Sequence, residues 1–409
     1  MRWPARTPLA WSNLVHSKPK LLGALAGITF AVALMFMELG FQNALLDGMV
    51  QLAERLDGDL ILVSRTTYSI GFKDPFSRRR LQEVRRFAEV ERVSPVYVES
   101  TFGSWRHPGT GVRWPIRVVA FRLDDGVFLD PAVARRLEAL RAPDTALFDA
   151  RGKWWLYGGA VRPQWRPFEA LAGNAGPTVG TVGELSGHAI RVVGTFDMGA
   201  DLANDGTLLM SEENYRRVFG AGRPVPPDLL VDLGLIKVRP NVRADSARLR
   251  ELRDAIDAAL PDSVVACVKG DLIARERKFW EVNTPVGLIF FIGLVMGFIV
   301  GTVICYQILS SGISTYLREY ATLLAMGYDR GFLVRVVIQQ AIYLGVMGFV
   351  CGLGVASVIY AVVAWYTRMP FVFVPGRVAS IFAATMAMCV ASACFAARRL
   401  YRAAPAELF

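Results

Sequence analysis

Residues 285–309 read PVGLIFFIGLVMGFIVGTVICYQIL, and this run holds no charged side chain. A helix needs roughly 20 apolar residues to cross a bilayer core, so the run is long enough to span it. Three further runs hold at most one charged side chain each: 21–41, 332–366 and 378–397. Residues 42–281, between the first run and the second, are polar. The pattern predicts a membrane protein of four transmembrane helices, with a large domain held outside the lipid between the first and second spans.

Composition agrees. Of the 409 residues 53% are hydrophobic, and the excess sits in the four runs. The net charge of +10 divides into +3 over residues 1–41, +2 over 42–281 and +5 over 282–409. The large domain is close to neutral, which argues against a nucleic-acid-binding face. Short cytoplasmic loops keep Lys and Arg. Arg2, Arg6, Lys18 and Lys20 precede the first span, Arg318, Arg330 and Arg335 lie between the second and third, and Arg398, Arg399 and Arg402 follow the fourth. The loop between the third and fourth spans holds only Arg368 and Arg377. Both termini are therefore expected in the cytoplasm, with the domain on the extracytoplasmic side.

The first run offers a small-x-small site at Ala31 and Ala33, but it continues unbroken to Leu39 and Phe41 and reads as a retained anchor. The third run could be cut at Gly352 and Gly354, but each half would be short for a span, and the Arg398 group would then face outward. One long helix is expected. Cys305, Cys351, Cys389 and Cys394 fall in spans and only Cys267 in the domain, so the domain can form no internal disulfide.

Before the first span, Leu9, Trp11, Leu14 and Val15 give residues 1–20 an apolar side, as in a helix lying at the lipid surface. In the domain, 60–63, 93–98 and 116–121 read as strands and 77–87 as a helix begun by Ser77. The same grammar returns with 235–238 as strand, 244–260 as a helix stopped by Pro261, and 264–268 as strand. This predicts an α+β domain with a membrane-proximal lobe over 42–125 and 228–281, and a distal lobe inserted over 126–227. The charged stretch 271–281 is helix-compatible and leads into the second span.

Catalytic chemistry finds little support. His16, His107 and His188 share no metal-ligand spacing, and no phosphate-cradling Gly-Lys-Ser or Gly-Lys-Thr is present. Gly183, Ser186, Gly187 and His188 miss the nucleophile-elbow spacing by one position and read as a turn. No catalytic or metal residue is assigned. Gly293, Gly297 and Gly301 recur every four residues in the second span, as do Gly348 and Gly352 in the third. Such stripes let helix backbones approach closely, within one chain or across a dimer. Glu38 near the end of the first span reads as a solvated terminus.

Residues 310–331 form a short loop in which Tyr316, Leu317, Tyr320, Leu323, Leu324 and Met326 recur at helical spacing around Arg318 and Glu319. Gly327 can end that helix ahead of Tyr328. Exposed apolar side chains on a short cytoplasmic helix suit a protein groove or lipid headgroups.

The run Arg318-Glu319-Tyr320-Ala321-Thr322-Leu323-Leu324-Ala325-Met326-Gly327-Tyr328 resembles the coupling helix of permeases in the MacB and FtsX superfamily. Thr7-Pro8-Leu9-Ala10-Trp11-Ser12-Asn13-Leu14 and Ala24-Leu25-Ala26-Gly27-Ile28-Thr29-Phe30-Ala31 resemble its DevC branch. So do Phe76-Ser77-Arg78-Arg79-Arg80-Leu81, Asp205-Gly206-Thr207-Leu208, Met296-Gly297-Phe298-Ile299-Val300-Gly301 and the tail Ala404-Pro405-Ala406-Glu407-Leu408-Phe409. Glu38 and Arg318 depart from that branch.

The resemblance implies a homodimeric, non-catalytic permease of an ABC exporter, working by mechanotransmission. ATP and Mg would be bound by a separate ATPase of the DevA type and not by this chain. A membrane-fusion adaptor of the DevB type and a TolC-like outer-membrane channel would complete the assembly, with an envelope lipid, glycolipid or other amphiphile as cargo. The alternative the superfamily offers is an FtsX-like signalling subunit that activates a periplasmic hydrolase. A membrane-bound enzyme with its site in the distal lobe is the remaining reading.

Overall fold

A computed structural model describes residues 11, 14, 16, 18–72, 74–106, 108, 111, 113–152, 177–201, 203–220, 230–367 and 371–402. Two compact units are present. One comprises Met1–Ala44, Pro285–Ala364 and Phe371–Phe409, and the other Leu45–Thr284 with Trp365–Pro370.

The first unit holds the membrane spans. Four helices are long and apolar enough to cross a bilayer: Lys18–Arg55, Pro285–Thr315, Arg330–Thr367 and Pro375–Arg402. The first-span helix outruns the expected 21–41 because Leu46, Val50 and Ala53, at helical spacing, are all buried. The third run is one helix, as expected. Of the expected surface helix over 1–20, most lies outside the described residues, but the Trp11 ring meets Tyr343 edge-on at 5.8 Å.

In lipid no hydrophobic force drives helices together, so small residues that permit close backbone approach carry the packing. Both glycine stripes are turned on the first span of the same chain. A side-chain carbon at Gly301 would collide with Ala31 and Met388, one at Gly297 would press on Met35, and one at Gly293 would meet the Glu38 carboxylate. On the third span, Gly348 faces Ile28 and Gly352 faces Val32. Each of these five glycines thus packs against the first span within the chain. The Ser392 hydroxyl donates across to the Thr302 carbonyl at 2.8 Å, and the Tyr360 hydroxyl to the Phe36 carbonyl.

The second unit is an α+β domain on a mixed sheet. Its strands are β1 (Leu60–Ser64), β2 (Phe76–Ser77), β3 (Val90–Glu99), β4 (Ser104–Arg106), β5 (Arg113–Pro115), β6 (Arg117–Phe121), β7 (Thr145–Asp149), β8 (Val182–Leu185), β9 (His188–Phe196), β10 (Thr207–Ser211), β11 (Leu230–Val231), β12 (Leu233–Val238) and β13 (Val264–Val268). Eleven of them form one sheet in the order β13-β1-β12-β3-β6-β10-β7-β9-β8-β4-β5, and β11 pairs with β2 apart from it. The pairs β6/β10 and β7/β9 are parallel.

Strand β1 shows why this domain coheres without a disulfide. Leu60 and Leu62 enter one apolar cluster, with Leu81, Leu252 and Ile256 of covering helices, while Ile61 and Val63 enter a second with Leu52, Leu56 and Leu272. A strand buried on both faces reads as a continuous apolar run, and 60–63 does. All five cysteines are free.

Two expectations change in detail. Residues 126–227 were read as a separate distal lobe, but β10 from that stretch lies between β6 and β7, so the sheet runs through the expected boundary. Ser77 was expected to begin a helix; it sits in β2, opposite Leu230, and the helix Arg79–Val84 is preceded by Arg78 without a side-chain cap. The helix expected over 244–260 is Ser246–Ala259, capped by Asp245, which accepts from the Ala247 and Arg248 amides at 2.9 and 3.3 Å.

Gly352→Leu should destabilise the membrane unit by about 1–3 kcal/mol, because Val32 must be displaced from a packed contact. Gly354→Leu, with nothing within 4 Å of the added carbon, should be neutral. Thermal unfolding of the two full-length variants in detergent checks the contrast.

Candidate functional site

The short helix Leu317–Ala325 joins the second and third spans. Its C-terminal end is built as expected. Gly327 adopts the left-handed conformation at φ 92°. Its amide donates to Leu324 O at 3.0 Å while the Tyr328 amide donates to Leu323 O at 3.1 Å. That pair of bonds is the Schellman arrangement, which glycine adopts without steric cost.

The faces of this helix differ from the sequence reading. Tyr320 was expected to be exposed, but it is only 2% exposed and belongs to the apolar core of the bundle. Leu323, Leu324 and Tyr316 pack against the same core, half-buried. Spacing alone identifies an apolar stripe without saying what covers it, and here the helix's own bundle covers most of it. The outward stripe is Glu319, Thr322 and Met326, at the i, i+3, i+7 positions of one face, followed by Tyr328. Met326 is 63% exposed. Thr322 was not singled out from sequence, because a lone threonine carries no signal until its neighbours' faces are known. The side chains of Leu317 and Arg318 lie outside the described residues.

At the same end of the bundle, Lys20 Nζ donates to Thr315 Oγ1 at 2.9 Å. The start of the first span and the end of the second are thereby tied beside Tyr316. Helix Leu317–Ala325 is thus held by an anchored aromatic and a glycine stop, and it presents a mixed polar and apolar ridge to whatever lies outside.

The extramembrane domain carries several buried carboxylates. Its buried carboxylates are bound by structural hydrogen bonds. Asp149 accepts from the amides of Met198, Gly199 and Arg151 at 3.0, 2.8 and 2.9 Å, and burial pushes its pKa up. Asp201 meets Arg117 at 2.8 Å, and Arg117 also reaches Thr207 of the expected Asp205–Leu208 motif. Glu212 receives the Tyr97 hydroxyl at 2.9 Å and the Arg78 guanidinium, which gives Arg78 of the 76–81 motif a structural partner. Glu276 accepts from the Ile70 amide at 3.0 Å, the Trp280 indole at 2.9 Å and the Ser69 hydroxyl.

Ser186 and Gly187, with φ of 48° and 92°, form the two-residue turn between β8 and β9, whose ends Leu185 and His188 pair. The Ser186 hydroxyl is used by the Phe102 carbonyl at 2.9 Å. Among the described residues no cluster of three or more His, Cys, Asp or Glu is placed to hold a metal ion.

Four helices long and apolar enough to cross a membrane, an α+β domain inserted in sequence between the first and second, and a short anchored helix between the second and third define a polytopic membrane protein. Residues 289–405 match the family model described as FtsX-like permease C-terminal. The matched stretch includes the short helix and the last three spans. No match was found among curated proteins. Two solved structures are similar in part. The periplasmic region of MacB from Actinobacillus actinomycetemcomitans aligns with 52% of this chain and 89% of its own, at 8% identity and a TM-score of 0.32. The extracellular domain of the noncanonic ABC-type transporter YknZ from Gram-positive bacteria aligns with 51% and 98%, at 9% identity and a TM-score of 0.30.

One ion-pair cluster in the domain has a definite pH signature. Burial raises the pKa of Asp57, but hydrogen bonds and charge from Lys237 and Arg92 outweigh it and hold the carboxyl below its ordinary value. A carboxylate depressed in the folded state contributes stability that is present above its unfolded pKa and is lost as pH falls through the folded pKa. Asp57→Asn should therefore lower the unfolding temperature of the full chain at pH 7. The gap to wild type should begin to narrow near the unfolded Asp value of about 3.9 and close as pH falls through the lower folded value. A gap unchanged down to pH 2 would contradict the assignment.

Proposed function

We propose that this chain is the permease subunit of an ABC exporter, relaying the ATP-driven motion of a separate ATPase to its extramembrane domain. The observation that carries the reading is the helix Leu317–Ala325. Tyr320 roots it in the bundle, and Glu319, Thr322, Met326 and Tyr328 form an outward ridge. A helix rooted by one face and exposed on the other can dock into a groove and hand displacement to the spans on each side. Two long spans leave from its ends, Pro285–Thr315 and Arg330–Thr367. The permease match over 289–405 supports the same reading.

On this reading the short helix and both termini face the cytoplasm, and the domain 45–284 lies in the periplasm, as the Lys and Arg distribution supports. The chain itself performs no chemistry; ATP and Mg belong to the ATPase, which is of the DevA type. Two copies form the working permease, with a DevB-type adaptor and a TolC-like channel receiving an envelope lipid, glycolipid or other amphiphile.

Met326→Asp combined with Thr322→Arg should cut co-purification of the co-expressed ATPase at least about tenfold, which corresponds to about 1.4 kcal/mol. Both side chains are exposed, so the thermal unfolding of the permease should be unchanged. Full ATPase binding by the double variant would overturn the reading, and an envelope hydrolase captured on the domain in place of an adaptor would favour the signalling role.

A further inference from the structure

The membrane unit contains two kinds of glycine. Those in the stripes are filled by a neighbouring side chain, which explains them by packing. Gly23 of the first span and Gly312 of the second are different, for a side-chain carbon added at either would meet nothing within 4 Å. Glycine inside a helix is unfavourable relative to alanine, and neither position recovers that cost through close helix contact. Both instead line a half-open cavity of about 430 Å³. That volume falls within the roughly 300–1,000 Å³ of ligand pockets.

The lining is amphipathic. Leu21, Ile304, Ile308 and Leu344 supply an apolar wall, and Lys20 and Gln340 stand at the polar positions. Gln340 is an amide buried at the wall of a membrane bundle. Lys20 is exposed, and its bond to Thr315 Oγ1 uses one of the three donors an ammonium carries. Lysine at the first turn of a span stands at headgroup depth, where basic side chains attract anionic lipids. One end of the cavity thus suits a hydrocarbon chain and the other suits a phosphate.

We propose that this cavity is a binding site for one anionic phospholipid, drawn from the leaflet at that end of the bundle. An acyl chain lies in the space left by Gly23 and Gly312, and the phosphate accepts from Lys20. Tyr316, which immediately precedes the helix Leu317–Ala325, also lines the cavity, so the lipid touches the root of that helix. The site stands independently of the export reading, because nothing in it requires an ATPase.

The test is native mass spectrometry of the full chain released from nanodiscs of equal phosphatidylglycerol and phosphatidylcholine. Wild type should retain phosphatidylglycerol about fivefold over phosphatidylcholine. Lys20→Gln should remove that preference, and Gly312→Leu should lower total retained lipid at least fivefold without changing the unfolding temperature. Gly354→Leu, which fills open space away from the cavity, should behave as wild type. Equal lipid retention by wild type and Gly312→Leu, or no headgroup preference in wild type, would overturn the proposal. A several-fold rise in retained lipid on deleting residues 1–10 would overturn it too, by making that segment the occupant.

Discussion

The membrane unit depends on one constraint: within lipid, helices gain nothing from hiding apolar surface, so they hold together only where their backbones come close enough to interlock. The first span meets this on two sides. Ala31, Met35 and Glu38 fill the steps left by Gly301, Gly297 and Gly293, while Ile28 and Val32 fill those left by Gly348 and Gly352. One helix therefore serves as the partner of two others. The stripes of the second and third spans are complementary to the first span rather than to each other, and the positions of side chains on the first span set the register of all three.

Much of this was legible in the sequence, for reasons that differ by element. The spans were visible because lipid demands long uncharged runs, and the run 285–309 admits no competing explanation. Strand β1 was visible because burial on both faces makes 60–63 uniformly apolar. The end of the short helix was visible because Gly327 is the residue that a left-handed Schellman position favours, and its two amide bonds are in place. The faces of that helix were not legible. Tyr320 and Met326 are both large and apolar, and only the bundle decides that one is buried and the other exposed. The partners of the glycine stripes were equally hidden, since a stripe announces close approach without naming what approaches.

In the extramembrane domain the obscured features are long-range. Arg78 and Glu212, or Glu276 and Ser69, lie far apart in sequence and meet only once the chain has folded. These carboxylates are buried, and a buried charge is tolerable only when partnered and hydrogen-bonded. The first ties the start of helix Arg79–Val84 to helix Glu212–Phe219, and the second ties helix Lys269–Val282 to the loop at Ser69. The parallel pairing of β10 with β6 has the same character, and it is what carries the sheet through the expected lobe boundary.

The open glycines complete the physical picture of the membrane unit. A small residue in a membrane helix has two uses: it can admit a neighbour's side chain, or it can leave room for something that is not part of the chain. The first use predicts an occupied contact at each position, and the two stripes satisfy it. Gly23 and Gly312 fail that test, and both line one amphipathic cavity. Packing therefore accounts for the stripes but not for this pair, and the surroundings of the pair match the two ends of a lipid: aliphatic walls on one side, an ammonium at the lipid boundary on the other.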